Sequence, residues 1–222
     1  AGSRISDWAG DGIIPSKPIG AQLEGAGGTA LSGCVNSTNT GFKVSFTSPN
    51  SNFNGLARIM LENQWLDNVQ EVAVNLGNAS YEIESVDLDG LGGDGEKTLY
   101  VRIEGANGHI GDGIPVIFTK DNVLPRVNSL LGKIDEQNFA LSFSEAVLPG
   151  VGASGAENVN NYLITVEDLP GVIPFETVLV TGSEVRLLLP DSANLGGRQS
   201  LSVTVFGVTD LAGNSLDAIN DT

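Results

Sequence analysis

One cysteine in 222 residues leaves this chain without an internal disulfide. Cys34 is expected to fill a core position as a small hydrophobe, an interchain bridge being the alternative. A single histidine, His109, sits in a glycine-flanked turn. One His and one Cys make an incomplete transition-metal set. No G-x-S-x-G elbow occurs, so nucleophilic catalysis finds no motif. Aromatics are only 6% of residues. For a sugar platform the sequence offers two tryptophans, Trp8 and Trp65, and Tyr81. Basic residues are scarce, 11 against 27 acidic, a net charge of −16. Such a surface repels phosphate backbones and anionic lipid, which argues against nucleic-acid or membrane-surface partners. No run of about 18 apolar residues exists, so no direct membrane insertion is expected. The chain reads as no enzyme.

What is present is turn-forming residues and short alternating strands. There are 29 Gly and 9 Pro, and hydrophobic residues make up 41%, enough for a real core. Phe42, Val44 and Phe46 alternate with Lys43 and Ser45. Ala57, Ile59 and Leu61 alternate with Arg58, Met60 and Glu62. Val72, Val74 and Leu76 follow, then Leu99, Val101 and Ile103, and Val116 with Phe118. The same pattern returns in Phe139, Leu141 and Phe143, in Tyr162 and Ile164, in Val185, Leu187 and Leu189, and in a penultimate strand of Leu201, Val203 and Val205. Period two between Gly/Asn/Asp/Ser turns predicts antiparallel strands packed in layers. Helical periodicity is lacking, apart from one possible turn at residues 191–195. The strand ending at Phe118, the extended residue before Pro125 and the fresh pattern beyond it place a boundary near 121–125. The fold class is therefore all-β, as two tandem immunoglobulin-like antiparallel β-sandwiches over 17–122 and 123–222. Residues 1–16 form a lead segment, expected to dock or to be exchanged as a strand between neighbours.

Particular stretches carry a resemblance. Val35–Asn39 before the first strand, Asp94–Arg102, Ala106–Gly108 and the closing Phe118–Pro125 resemble the bacterial immunoglobulin-like repeats of large secreted adhesins. Leu141–Val147 and Val208–Asn214 resemble the immunoglobulin-like domain of bacterial surface-layer proteins. The resemblance implies a secreted or cell-surface location. It also implies a structural role as a stalk, filament or surface-layer module, and many such modules are stiffened by calcium. The partners implied are further copies or neighbouring domains of a surface assembly. The alternative is a carbohydrate-binding or adhesive module of a secreted multidomain protein, with a glycan as ligand.

Gly90–Gly95 satisfies G-x-G-x-x-G, but a strand follows where a dinucleotide site needs a helix. The loop reads better as a Ca²⁺ site. Asp87, Asp89, Asp94 and Glu96 fall within ten residues, and the glycines let carbonyls turn inward. The competing reading is a solvated acidic loop using Asp and Gly for turn geometry. Asp121, Asn122 and Glu145 are further candidate cation ligands around the junction. Asp210 and Asn214 read as structural turn formers. Lys43, alternating with inward residues, is expected to face outward, which argues against an internal isopeptide bond. Asn36-Ser37-Thr38 and Asn78-Ala79-Ser80 match the glycosylation sequon, a match that chance supplies in a chain this rich in Asn, Ser and Thr.

Overall fold

A computed structural model describes residues 14–51, 55–61, 64–74, 77–85, 87–105, 108–133, 137–166, 173, 175–190 and 201–217. Most of the lead segment and the turn expected at 191–195 lie outside the described residues. The protein is all-β, and no α-helix occurs among the described residues, only three-residue 3₁₀ turns at Asp89–Leu91 and Val159–Asn161. By contacts the chain divides into two compact units, Ala1–Asn122 and Val123–Thr222.

The first unit holds strands β1 (Ile19–Ala26), β2 (Cys34–Val35), β3 (Gly41–Ser51), β4 (Gly55–Leu61), β5 (Gln64–Trp65), β6 (Val72–Val74), β7 (Gly77–Ser85), β8 (Gly95–Gly105) and β9 (Ile114–Lys120). One antiparallel sheet runs β1-β3-β7; another runs β2-β9-β8-β4-β5, with β6 also on β4. The alternation works as the side-chain period of a strand requires. Phe42, Val44 and Phe46 from the first sheet meet Ala57, Ile59, Leu99, Val101 and Ile103 from the second in one buried cluster. The two-residue strand β2 joins β9 in parallel, Cys34 opposite Thr119 and Val35 opposite Lys120. Thr119 N–H donates to Gly33 O, and Asp121 N–H to Val35 O, each at 3.0 Å. Here one expectation fails. Val35, not Cys34, takes the core position: Val35 is fully buried while Cys34 is half-buried. Successive residues of a strand face opposite sides, so only one of the two can point inward.

The second unit holds β10 (Val127–Lys133), β11 (Asn138–Phe143), β12 (Tyr162–Val166), β13 (Thr177–Thr181), β14 (Glu184–Leu188) and β15 (Leu201–Val205). An antiparallel sheet runs β10-β11-β14-β13, and β12 pairs with β15. Phe139, Leu141 and Phe143 pack with Tyr162, Ile164, Val185 and Leu187 in a core of their own. Beyond β15, where the sequence suggested one more strand, no further named strand forms among the described residues. Residues Val208–Ser215 instead fold back on themselves around Asp210, whose side chain offers the backbone an alternative to a ladder. The unit is tied shut where its chain enters: Asp217 N–H donates to Pro125 O at 3.0 Å, and the Asp217 carboxylate pairs with Arg126 at 2.9 Å.

Candidate functional site

The acidic loop leading into β8 is organised from within. Asp87 Oδ1 accepts the Gly90 N–H at 3.0 Å, and its Oδ2 accepts from Asn68 Nδ2 at 3.3 Å. These contacts, the Gly90 bond first, hold the Asp87 carboxyl below the usual carboxylate range, with Lys120 contributing by charge. Asp87 thus closes the 3₁₀ turn Asp89–Leu91, and Leu91 is fully buried beneath it. Opposite, the ammonium of Lys120, itself 7% exposed, donates to Leu88 O at 2.8 Å and Gly92 O at 2.6 Å. Asp94 Oδ1 accepts from Asn122 Nδ2 at 2.8 Å.

This arrangement bears directly on the candidate cation ligands. Asp87, Asp89, Asp94 and Glu96 share the loop. Yet among the described residues no three of them bring carboxylate oxygens within 4.8 Å of one another. The loop carbonyls that turn inward are Leu88 O and Gly92 O, and they meet the Lys120 ammonium. A side-chain cation thus occupies the middle of the loop. Asp89, Asp94 and Glu96 are exposed. Asn122 is joined to Asp94 rather than to an acid further along the chain. Asp121, in the first unit, is half-buried, with its backbone N–H bonded to Val35 O. Sequence reasoning missed Lys120. Its signal was there: it falls at an inward position two residues after Phe118, in the alternation Val116, Phe118, Lys120.

In the second unit Glu145 lies close to Asp210, with carboxylate oxygens within 4.8 Å. Asp210 is buried and heavily used. Its Oδ1 accepts the N–H groups of Ala212 and Asn214 at 2.8 Å each, and its Oδ2 accepts from Asn214 Nδ2 at 2.8 Å. The turn-forming role expected of Asp210 and Asn214 is what the structure shows.

Other polar side chains are spent in the same way. Asn36 is buried, and its Oδ1 accepts from Thr38 N–H at 3.0 Å and Thr38 Oγ1 at 2.6 Å. A buried asparagine cannot accept a glycan, which removes that sequon. Asn39 Oδ1 accepts from Asn36 N–H at 2.8 Å, and Asn161 Nδ2 donates to Ala153 O and Gly155 O at 3.0 Å each. Lys43 is on the outer side of β3, paired with Glu82 at 3.1 Å. Of the suggested sugar-platform residues, Tyr81 stacks on buried Phe46, centroids 5.6 Å apart, and so belongs to the rim of the core.

No family profile and no curated protein matches the chain. Among solved structures it is similar to the periplasmic chaperone SfaE, at 9% identity over 84% of this chain and 100% of that one, TM-score 0.32. It is similar to CBD12 from CALX1.2 at 12% identity over 77% and 75%, TM-score 0.28. It is also similar to the Pseudomonas aeruginosa CupB2 chaperone at 13% identity over 82% and 100%, TM-score 0.25.

Proposed function

We propose that this chain is a non-enzymatic structural module of a bacterial extracellular assembly, a stalk, filament or surface-layer element built from two tandem immunoglobulin-like sandwiches. The observation that carries the reading is how buried polar side chains are employed. Asn36, Asn39, Lys120, Asn161, Asp210 and Asn214 are all buried. Each makes side-chain hydrogen bonds to turns and loops of its own unit. Loops satisfied from inside are stiff loops, and stiffness is what a spacer or assembly module needs. The parallel β2–β9 pairing adds to this. In a parallel pair a pull along the chain slides the strands past each other and loads the bonds together, whereas unzipping loads them singly.

Calcium stiffening belongs to the proposal at Glu145 and Asp210, where two carboxylates lie within 4.8 Å. Both are oxygen donors of the kind Ca²⁺ takes. The melting temperature then rises in millimolar Ca²⁺ and falls in chelator, and Glu145→Gln removes that response. An unchanged melting temperature excludes it.

Assembly is tested by sedimentation and negative-stain microscopy of the purified chain over a concentration series, with and without Ca²⁺. Filaments, sheets or rod-like particles that grow with concentration support the reading of a filament or surface-layer subunit. Compact monomers under every condition leave only the stalk. A turnover of any substrate by the pure chain overturns the non-enzymatic reading.

A further inference from the structure

The outer face of the larger sheet of the first unit carries a feature that none of the preceding roles uses. Register places Trp65 of β5 opposite Met60 of β4, Met60 opposite Tyr100 of β8, and Tyr100 opposite Pro115 of β9. These four form one row across four strands. All are half-buried or exposed, while the residues on the other side of β4 and β8, Ala57, Ile59, Leu99 and Val101, are in the core. The next row pairs Arg58 with Arg102. Arg58 lies over the Trp65 ring, 5.5 Å from its centroid, and Arg102 over the Tyr100 ring at 6.0 Å. Each guanidinium thereby helps hold a ring in place on the sheet.

We propose that this face binds a neutral, extended β-linked polysaccharide. Three observations choose that occupant. The first is spacing. Trp65 and Tyr100 are two strand steps apart, about 10 Å at ~4.8 Å per step. That is close to the repeat of two rings in an extended β-linked chain, so alternate sugars meet alternate aromatics. The second is charge. On a chain of net charge −16 this face carries both signs: Arg58 pairs with Glu71 at 3.0 Å and Glu104 at 3.2 Å, and Arg102 stands opposite Arg58 in the same row. A polyanion meets an acidic molecule, a polycation meets two arginines, and a neutral polyol finds donors and acceptors. The third is room. A cavity of about 250 Å³ opens beside Trp65, lined by Arg58 and by Asp67, Asn68, Gln70 and Glu71 of the β5–β6 connection. An aromatic wall with a few convergent polar groups is the usual composition of a small-ligand site. The space admits a single sugar ring at the end of the row.

The test is titration calorimetry of the whole chain with the hexasaccharides of β-1,4-linked glucose and of β-1,4-linked N-acetylglucosamine, with a pull-down on the insoluble polymers. Binding of at least one is expected, weakened tenfold or more by Trp65→Ala and by Tyr100→Ala. Trp65→Phe and Tyr100→Phe should recover most of it. Lys43→Ala, on the other sheet, should change nothing. Near-ultraviolet circular dichroism identifies any alanine variant that fails to fold, in which case the phenylalanine variants and Arg102→Ala, which should also weaken binding, decide. The proposal is overturned if neither oligosaccharide nor polymer binds the wild type, or if binding survives both aromatic substitutions. It is equally overturned if Trp65→Ala abolishes self-association, which would show that a second copy covers the face.

Discussion

Replacing Lys120 by Met should destabilise the first unit by about 3 kcal/mol, because it strips the donor from two inward carbonyls while keeping most of the aliphatic stem. The structure supplies the terms. The Lys120 ammonium donates at 2.8 Å to Leu88 O and at 2.6 Å to Gly92 O, and the residue is 7% exposed. A buried acceptor left without a donor costs about 1–3 kcal/mol, so two give roughly 2–6. Water reaching this half-exposed loop recovers part of that, which brings the figure toward 3. For a unit of this size, about 4 °C of melting temperature per kcal/mol gives a fall of roughly 12 °C. Tryptophan fluorescence isolates the effect, since Trp65 lies in the first unit and residues 123–222 contain no tryptophan. Amide exchange should quicken at Gly90 and Leu91 before it does in the strands. A melting temperature within about 2 °C of wild type, less than 1 kcal/mol on the same scale, would refute the internal-cation account of the loop.

Asp87 has a lowered pKa, so the stability it lends is present above the ordinary carboxylate pKa and is lost as pH falls through its folded value. An acid titration of Trp fluorescence should show this loss, and Asp87→Asn should flatten it. Asp210→Ala leaves the Ala212 and Asn214 N–H groups without their acceptor, for a loss of about 3–5 kcal/mol in the second unit seen by calorimetry. Burial raises the pKa of the Tyr162 phenol, whose hydroxyl donates to Ala156 O at 2.7 Å. The stability tied to it is complete below pH ~10 and declines as pH rises beyond that, and Tyr162→Phe should abolish the alkaline decline.

The strands with strict alternation were legible because each has one buried face. Phe42–Phe46, Ala57–Leu61, Leu99–Ile103, Phe139–Phe143 and Val185–Leu189 all show it, and their inward residues fill the two cores. The turn role of Asp210 was legible too, since its hydrogen bonds are local. What escaped depends on distance in sequence. Strand β2 is two residues long and exists through its parallel neighbour, 85 residues on. Lys120 is buried because carbonyls 28 and 32 residues earlier accept its protons. The acidic loop invites a metal reading as a list of carboxylates; the internal ammonium appears only when β9 is laid beside it. The row from Trp65 to Pro115 needs the register of four strands, so the sequence offered Tyr81 as the partner of Trp65, whereas Tyr100 shares its row.

A structural module of the kind proposed must hold its fold under tension, and stretching single molecules from their two ends measures that. Two separate unfolding events are expected, one per unit, with a higher rupture force for the unit closed by β2 and β9. That force should fall in Thr119→Pro, which removes the bond to Gly33 O. Extension at low force without discrete events, or a rupture force indifferent to Thr119→Pro, would contradict it.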